Sequence, residues 1–190
     1  MRLPLPRLLS VTSDTVVPDD GSRSGGMVGG MFIQPDVIAT LKRRIAQDGW
    51  AMAGVGTGHA AVTFVYTVGL QKSFAHPDLI MFGVAPAQAE GVMGVIAQRV
   101  KAGEPAHEGV MIVGAAEVPL MPRWADAERV RLLVPAQLAR GRYSYLQVVW
   151  PDGKGLFPWE PRFDKRRLRS QSFLFDVADG DPLTSNAPKP

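Results

Sequence analysis

No cysteine occurs in the 190 residues, so disulfide bracing, thiolate zinc sites, iron–sulfur clusters and a cysteine nucleophile are excluded by composition. Nothing in the chain needs an oxidising compartment, and a reducing cytoplasm is the expected location. Long apolar runs are also missing. None reaches the roughly 20 residues that a membrane helix needs, and Met1 to Ser13, with its two arginines, has neither the sustained apolar stretch nor the small-residue cleavage site of a secretory signal. The expectation is a soluble protein with no membrane partner. Histidine is scarce. His59, His76 and His107 are the full set, and without an H-x-x-x-H or H-x-H pair they give no metal-ligating pattern, so no metal is expected. Ser73 and Ser144 lack the strand–turn–helix setting of a nucleophile elbow. Gly54-x-Gly56-x-Gly58 follows a strand but opens no helix, so it reads as a turn and not as a dinucleotide cradle.

What is present is an ordinary core: 46% hydrophobic residues, 21% charged and a net charge of +3. Residues 1–31 mix Pro4, Pro6 and Pro18 with a Gly/Ser-rich run and are expected to form a leader without structure, as are residues 176–190 at the other end. The folded unit is then a single domain over residues 32–175. Pro35 to Gln47 places Val37, Ile38, Leu41 and Ile45 on one helical face, and Gly49 ends that helix. Trp50–Val55 and Val62–Leu70 read as a hairpin turning at Gly56 to His59. Leu79–Val84 is a buried strand. Pro86 opens a second helix that stops at Gly103. A further strand is expected over Val110–Val118, broken by Pro119 and Pro122. Trp124–Arg140 is weakly helical and interrupted by Pro135, and Tyr145–Trp150 is the last strand, closed by the turn Pro151-Asp152-Gly153. This order is neither strict βαβ alternation nor all-β spacing. It predicts an α+β fold, a largely antiparallel sheet with two or three packed helices.

Polar groups interrupt the apolar pattern at two places, and ends of strands are where a rigid scaffold presents side chains to a ligand. The first is Tyr66-Thr67-Val68-Gly69-Leu70 with His76-Pro77-Asp78. Tyr66 and Thr67 are candidate ligand contacts. His76 is the candidate general acid/base because an imidazole titrates near neutrality, and Asp78 is the candidate that orients it. Against this stands a bland reading in which Tyr66 is a core aromatic and His76 with Asp78 braces the turn around Pro77. The second place is Gln147-Val148-Val149-Trp150-Pro151-Asp152, continuing to Trp159-Glu160. Gln147, Trp150, Asp152, Trp159 and Glu160 are candidate ligand contacts, a flat aromatic platform with polar anchors. The same residues also suit a staple that fixes an irregular segment to the core. Basicity is local: Arg162 to Arg169 carries a net +4, leaving −1 for the remainder, a segment able to contact a polyanion, although a short cluster with no recognition motif does not point to nucleic acid.

Together, Gly49-Trp50, Tyr66-Thr67-x-Gly69-Leu70, His76-Pro77-Asp78-Leu79, Leu146 to Asp152, Pro158-Trp159-Glu160 and Gln171 resemble a bacterial family, the domain-of-unknown-function family numbered 4262. The resemblance spans roughly Pro35 to Leu174. Asp78 stands where that family often has glutamate and Ala75 where it often has glycine, and Pro119 to Tyr143 is less typical. The resemblance implies a small α+β protein without an established reaction, and it assigns no catalytic residue. By order of elements alone the chain also resembles the opening of flavin-reductase-type split barrels, which implies a flavin as a possible cofactor. Three functions follow as expectations: a small-ligand or partner-binding domain in which both polar clusters share one pocket, a flavin- or His76-dependent enzyme, and a polyanion-binding module acting through residues 162–169.

Overall fold

A computed structural model describes residues 9–12, 35–56, 64–139, 141–166 and 171–177. Helix α1 (Pro35–Asp48) buries Leu41 and packs Val37, Ile38 and Ile45 beside it, the spacing of three and four expected of a half-buried helix. Gly49 ends it in the left-handed region, its N–H donating to Ile45 O at 3.0 Å. No side chain fits there, because a Cβ on Gly49 would stand 2.6 Å from the Phe74 ring.

Among the described residues six strands form one open sheet: β1 (Leu9–Thr12), β2 (Ala51–Gly56), β3 (Phe64–Val68), β4 (Asp78–Phe82), β5 (Met121–Trp124) and β6 (Tyr145–Val149), in the order β1-β2-β3-β4-β6-β5. The pairs β2–β3, β3–β4 and β5–β6 are antiparallel, whereas β1–β2 and β4–β6 are parallel. Strands β3, β4 and β6 are buried at every position. They carry apolar side chains without polar alternation because both faces are covered. On one face Tyr66, Ile80 and Tyr145 pack with α1 and with the short helices α4 (Ala127–Arg131) and α5 (Ala136–Ala139). On the other, Val65, Leu79 and Leu146 pack with α3 (Pro86–Lys101). The fold is α+β with a largely antiparallel sheet, as the sequence predicts.

Four details depart from the expectations. Residues 70–74, whose first member was expected to close a strand, form a one-turn helix, α2 (Leu70–Phe74). The strand expected over Val110–Val118 is reduced to a single bridge, Ile112 with Leu120. Gly114 at φ +72° turns the chain there, and Val110, Met111 and Val113 are exposed. The strand forms instead at Met121–Trp124, across Pro122, because β5 is an edge strand and a missing N–H costs little on an edge. Within the expected leader, β1 lies parallel on β2, while the rest of residues 1–31, the 57–63 connection with His59, and residues 178–190 lie outside the described residues. Finally, the sheet is open, with β1 and β5 as its edges. A split barrel closes its sheet, and among the described residues this sheet does not close.

Candidate functional site

Past the Tyr66↔Ile80 pair, β3 and β4 part, and side chains replace the ladder. The Thr67 hydroxyl accepts the Leu79 N–H at 2.8 Å and donates to Asp78 Oδ1 at 3.0 Å. The same carboxyl oxygen accepts the Leu70 N–H at 3.0 Å, and Oδ2 accepts that of Gly69 at 3.3 Å. The chain can present those two amides to one carboxyl because Gly69 sits at φ +105°. A Cβ on Gly69 would stand 2.8 Å from Gly49 O, so glycine is required twice over. Asp78 thus begins β4 and at the same time caps α2.

Burial pushes the Asp78 carboxyl up to about 7, against the opposing effect of its bonds from Leu70, Thr67 and Gly69. An uncompensated carboxylate is costly in a dry site, and protonation near neutrality relieves that cost. Two phenols stand close by. Burial raises Tyr145 first, and the charges of Asp78 and Tyr66 raise it further, while its hydroxyl donates to Thr67 O at 3.2 Å. Tyr66 is also raised by burial, and among the described residues its hydroxyl has no hydrogen-bond partner.

Asp78 opens on a cavity of about 500 Å³ between α1, α2 and α5. Its polar lining includes Lys42 from α1, Gln71 and Lys72 from α2, Gln137 from α5 and Arg142 just beyond it, while Ile45 and Leu138 supply apolar wall. Sequence reasoning found Asp78 and missed the rest. Lys42 lies outside the apolar face of Val37, Ile38 and Leu41, and nothing in the sequence places it opposite α2.

His76 does not join this site. Nδ1 lies 2.6 Å from Pro77 O, which can only accept, and Nε2 lies 3.0 Å from both the carbonyl oxygen and the N–H of Ala106. Burial lowers its pKa, against the raising effect of the Pro77 and Ala106 bonds, and His107 lowers it further. The imidazole lies against a different cavity, with Phe74, Val100 and Trp124, on the other side of α2. Asp78 bonds to Thr67 and to the α2 amides, so it does not orient His76, and both ring nitrogens are held by backbone. The arrangement matches the brace around Pro77 and leaves no nitrogen aimed at a ligand.

Nor does the second polar cluster meet the first. Strands β4 and β6 run parallel with Asp78 opposite Tyr145, whereas Trp150 follows the far end of β6 and donates its indole N–H to Phe82 O at 2.9 Å. The clusters are therefore separated by the length of the strands, about 13 Å at 3.3 Å per residue. The single shared pocket does not form. Each polar group of the second cluster is used internally. Gln147, fully buried, donates to Ser172 O at 2.7 Å and accepts from Leu174 N at 2.8 Å. Gln171 pairs with both backbone groups of Trp150. Desolvation raises the Asp152 carboxyl, but the N–H groups of Asp164, Leu156 and Lys154 outweigh it and hold it below the usual range. Glu160 accepts the Phe157 N–H at 2.6 Å. Trp159 is sandwiched between Phe157, Phe175 and the Arg123 guanidinium. These residues staple residues 150–166 and 171–175 to the sheet. In the basic segment, Arg166 is paired with Asp164 at 2.9 Å, and residues 167–170 lie outside the described residues.

Among the described residues no helix is long and apolar enough to cross a membrane, and no three His, Asp or Glu side chains converge as a metal would require. Neither a curated protein nor a solved structure matches the chain. A family model does, over residues 44–164, a span that holds Thr67, Asp78, Lys72 and Arg142 as well as the Trp159 staple. The chain belongs to the domain-of-unknown-function family DUF4262.

Proposed function

We propose that this chain is a small-ligand-binding domain whose site is the cavity over Asp78, and that the Asp78 carboxyl is the group that answers the ligand by gaining or losing a proton. The observation that carries the reading is a carboxyl buried to 7% exposure, titrating near 7, at the floor of a cavity of about 500 Å³. A carboxyl so placed is more expensive than a neutral residue in a purely structural role, and perturbed acids in concave sites mark function more often than ordinary surface acids do. The volume suits a metabolite-sized molecule.

The test is a ligand-observed NMR screen of a metabolite library against the full chain and against Ala46→Trp. Ala46 lines the cavity on the exposed side of α1, so the indole fills the space without entering the core. Binders whose signals respond to the parent and not to Ala46→Trp support the site. A library whose binders are the same for both proteins removes it.

A further inference from the structure

We infer that the ligand of the Asp78 cavity carries a doubly charged phosphoryl group, held by Lys42, Lys72 and Arg142, with an apolar body against Ile45 and Leu138. The inference rests on the cavity being a ligand site and adds the class of ligand. The three cations reach the cavity from three separate parts of the chain: α1, α2 and the segment after α5. Among the described residues none of them is in an ion pair. The sole acid in the lining is Asp78, and its oxygens already accept from Thr67, Gly69 and Leu70.

Counting charges selects the ligand. Three cations and an ionised Asp78 leave the cavity at +2, which a phosphate monoester dianion neutralises. A monocarboxylate leaves an excess cation, and a neutral molecule leaves both. Arginine brings a planar fork that matches two phosphoryl oxygens, and the lysines act as point charges beside it. Gln71 and Gln137 add amide donors. Ile45 and Leu138 leave room for a carbon body, so a monoester fits better than bare phosphate.

The experiment is isothermal titration in phosphate-free buffer at fixed ionic strength, with phenyl phosphate, benzoate and benzyl alcohol as probes. Phenyl phosphate is expected to bind at least tenfold tighter than benzoate, and benzyl alcohol least. The triple variant Lys42→Gln/Lys72→Gln/Arg142→Gln is expected to lose tenfold or more of the phenyl phosphate affinity. Arg43→Gln/Lys165→Gln, which removes two exposed cations outside the cavity, is expected to lose none. Equal binding of phenyl phosphate and benzyl alcohol, or affinity retained in the triple variant, overturns the phosphoryl assignment. If library binders sensitive to Ala46→Trp are indifferent to the triple variant, the site stands and the class of ligand falls. If phenyl phosphate binding survives Ala46→Trp, the cavity is not where it binds, and both readings fall.

Discussion

Thr67 and Asp78 face each other across the point where β3 and β4 separate, hydroxyl to carboxyl at 3.0 Å, and that contact ties the cap of α2 to the floor of the cavity. Its energetics are set by whether Asp78 is ionised. The unfolded carboxyl titrates near 3.9, the folded one near 7. Between those values the unfolded chain has released the proton and the folded chain still holds it, so stability falls as pH rises through the window. The full effect is on the order of 4 kcal/mol at about 1.4 kcal/mol per pH unit. In Asp78→Asn, which cannot titrate, this falling component is expected to vanish from urea midpoints measured between pH 4 and 7. An unchanged slope would mean that the folded carboxyl titrates in the ordinary range.

His76 contributes with the opposite sign. Its folded pKa is lowered, so as pH drops below about 6.5 the unfolded imidazole takes a proton that the folded one resists, and stability is lost towards acid. Neutral His76 is expected in the Nδ1–H tautomer, donating to Pro77 O and accepting from Ala106 N–H. Ring ¹⁵N shifts at pH 7.5 read the tautomer directly, and a titration reads the midpoint. A midpoint above 6.5 would show that burial does not govern the ring and would return it to the proton-shuttle role that the sequence first suggested.

Ala75 ends α2 with φ +53°, a region that L-residues other than glycine adopt at a cost of about 1–2 kcal/mol. Ala75→Gly removes the Cβ that makes the position strained, at the C′ site where glycine is favoured. The substitution is expected to stabilise the domain by about 0.5–1 kcal/mol after the entropy of the unfolded glycine is subtracted. Thermal unfolding at constant pH measures it. A lower Tm would show that the flexibility added to the unfolded chain outweighs the strain relieved.

Why some of this was legible in the sequence and some was not follows from the kind of signal each element leaves. Helices α1 and α3 are long enough to show their period, and β6 is a run of five buried residues, so all three were read close to their bounds. Helix α2 is one turn of five residues with only Leu70 buried. Its existence depends on Gly69 and on a carboxyl eight residues away from Leu70, a contact that no local pattern reports. Strand β5 hides behind Pro122, a residue that rules out a central strand and is harmless on an edge, and the sequence does not say which strand is the edge. The polar clusters were found because polar residues at strand ends stand out. Their roles were not legible, since Gln147 bonded to backbone and Gln147 bonded to a ligand are spelled identically.

That last distinction is measurable. Gln147 is fully buried in mid-strand, and its amide is satisfied at both ends by the 171–175 segment. Gln147→Leu conserves bulk but leaves Ser172 O and Leu174 N–H without partners, at about 1–3 kcal/mol for each buried group orphaned. A loss of about 2–6 kcal/mol in urea unfolding is expected. Because Leu174 packs into the core and Phe175 packs on Trp159, loosening the segment should also shift tryptophan emission to the red and open a protease site near residues 171–175 in the native state. A ligand contact would behave otherwise: a residue kept for binding is removed at little cost to the fold. If Gln147→Leu unfolds at the parent's urea midpoint with unchanged emission, the staple is wrong, and Gln147, Trp150 and Trp159 return as candidates for a second site at the far end of the sheet.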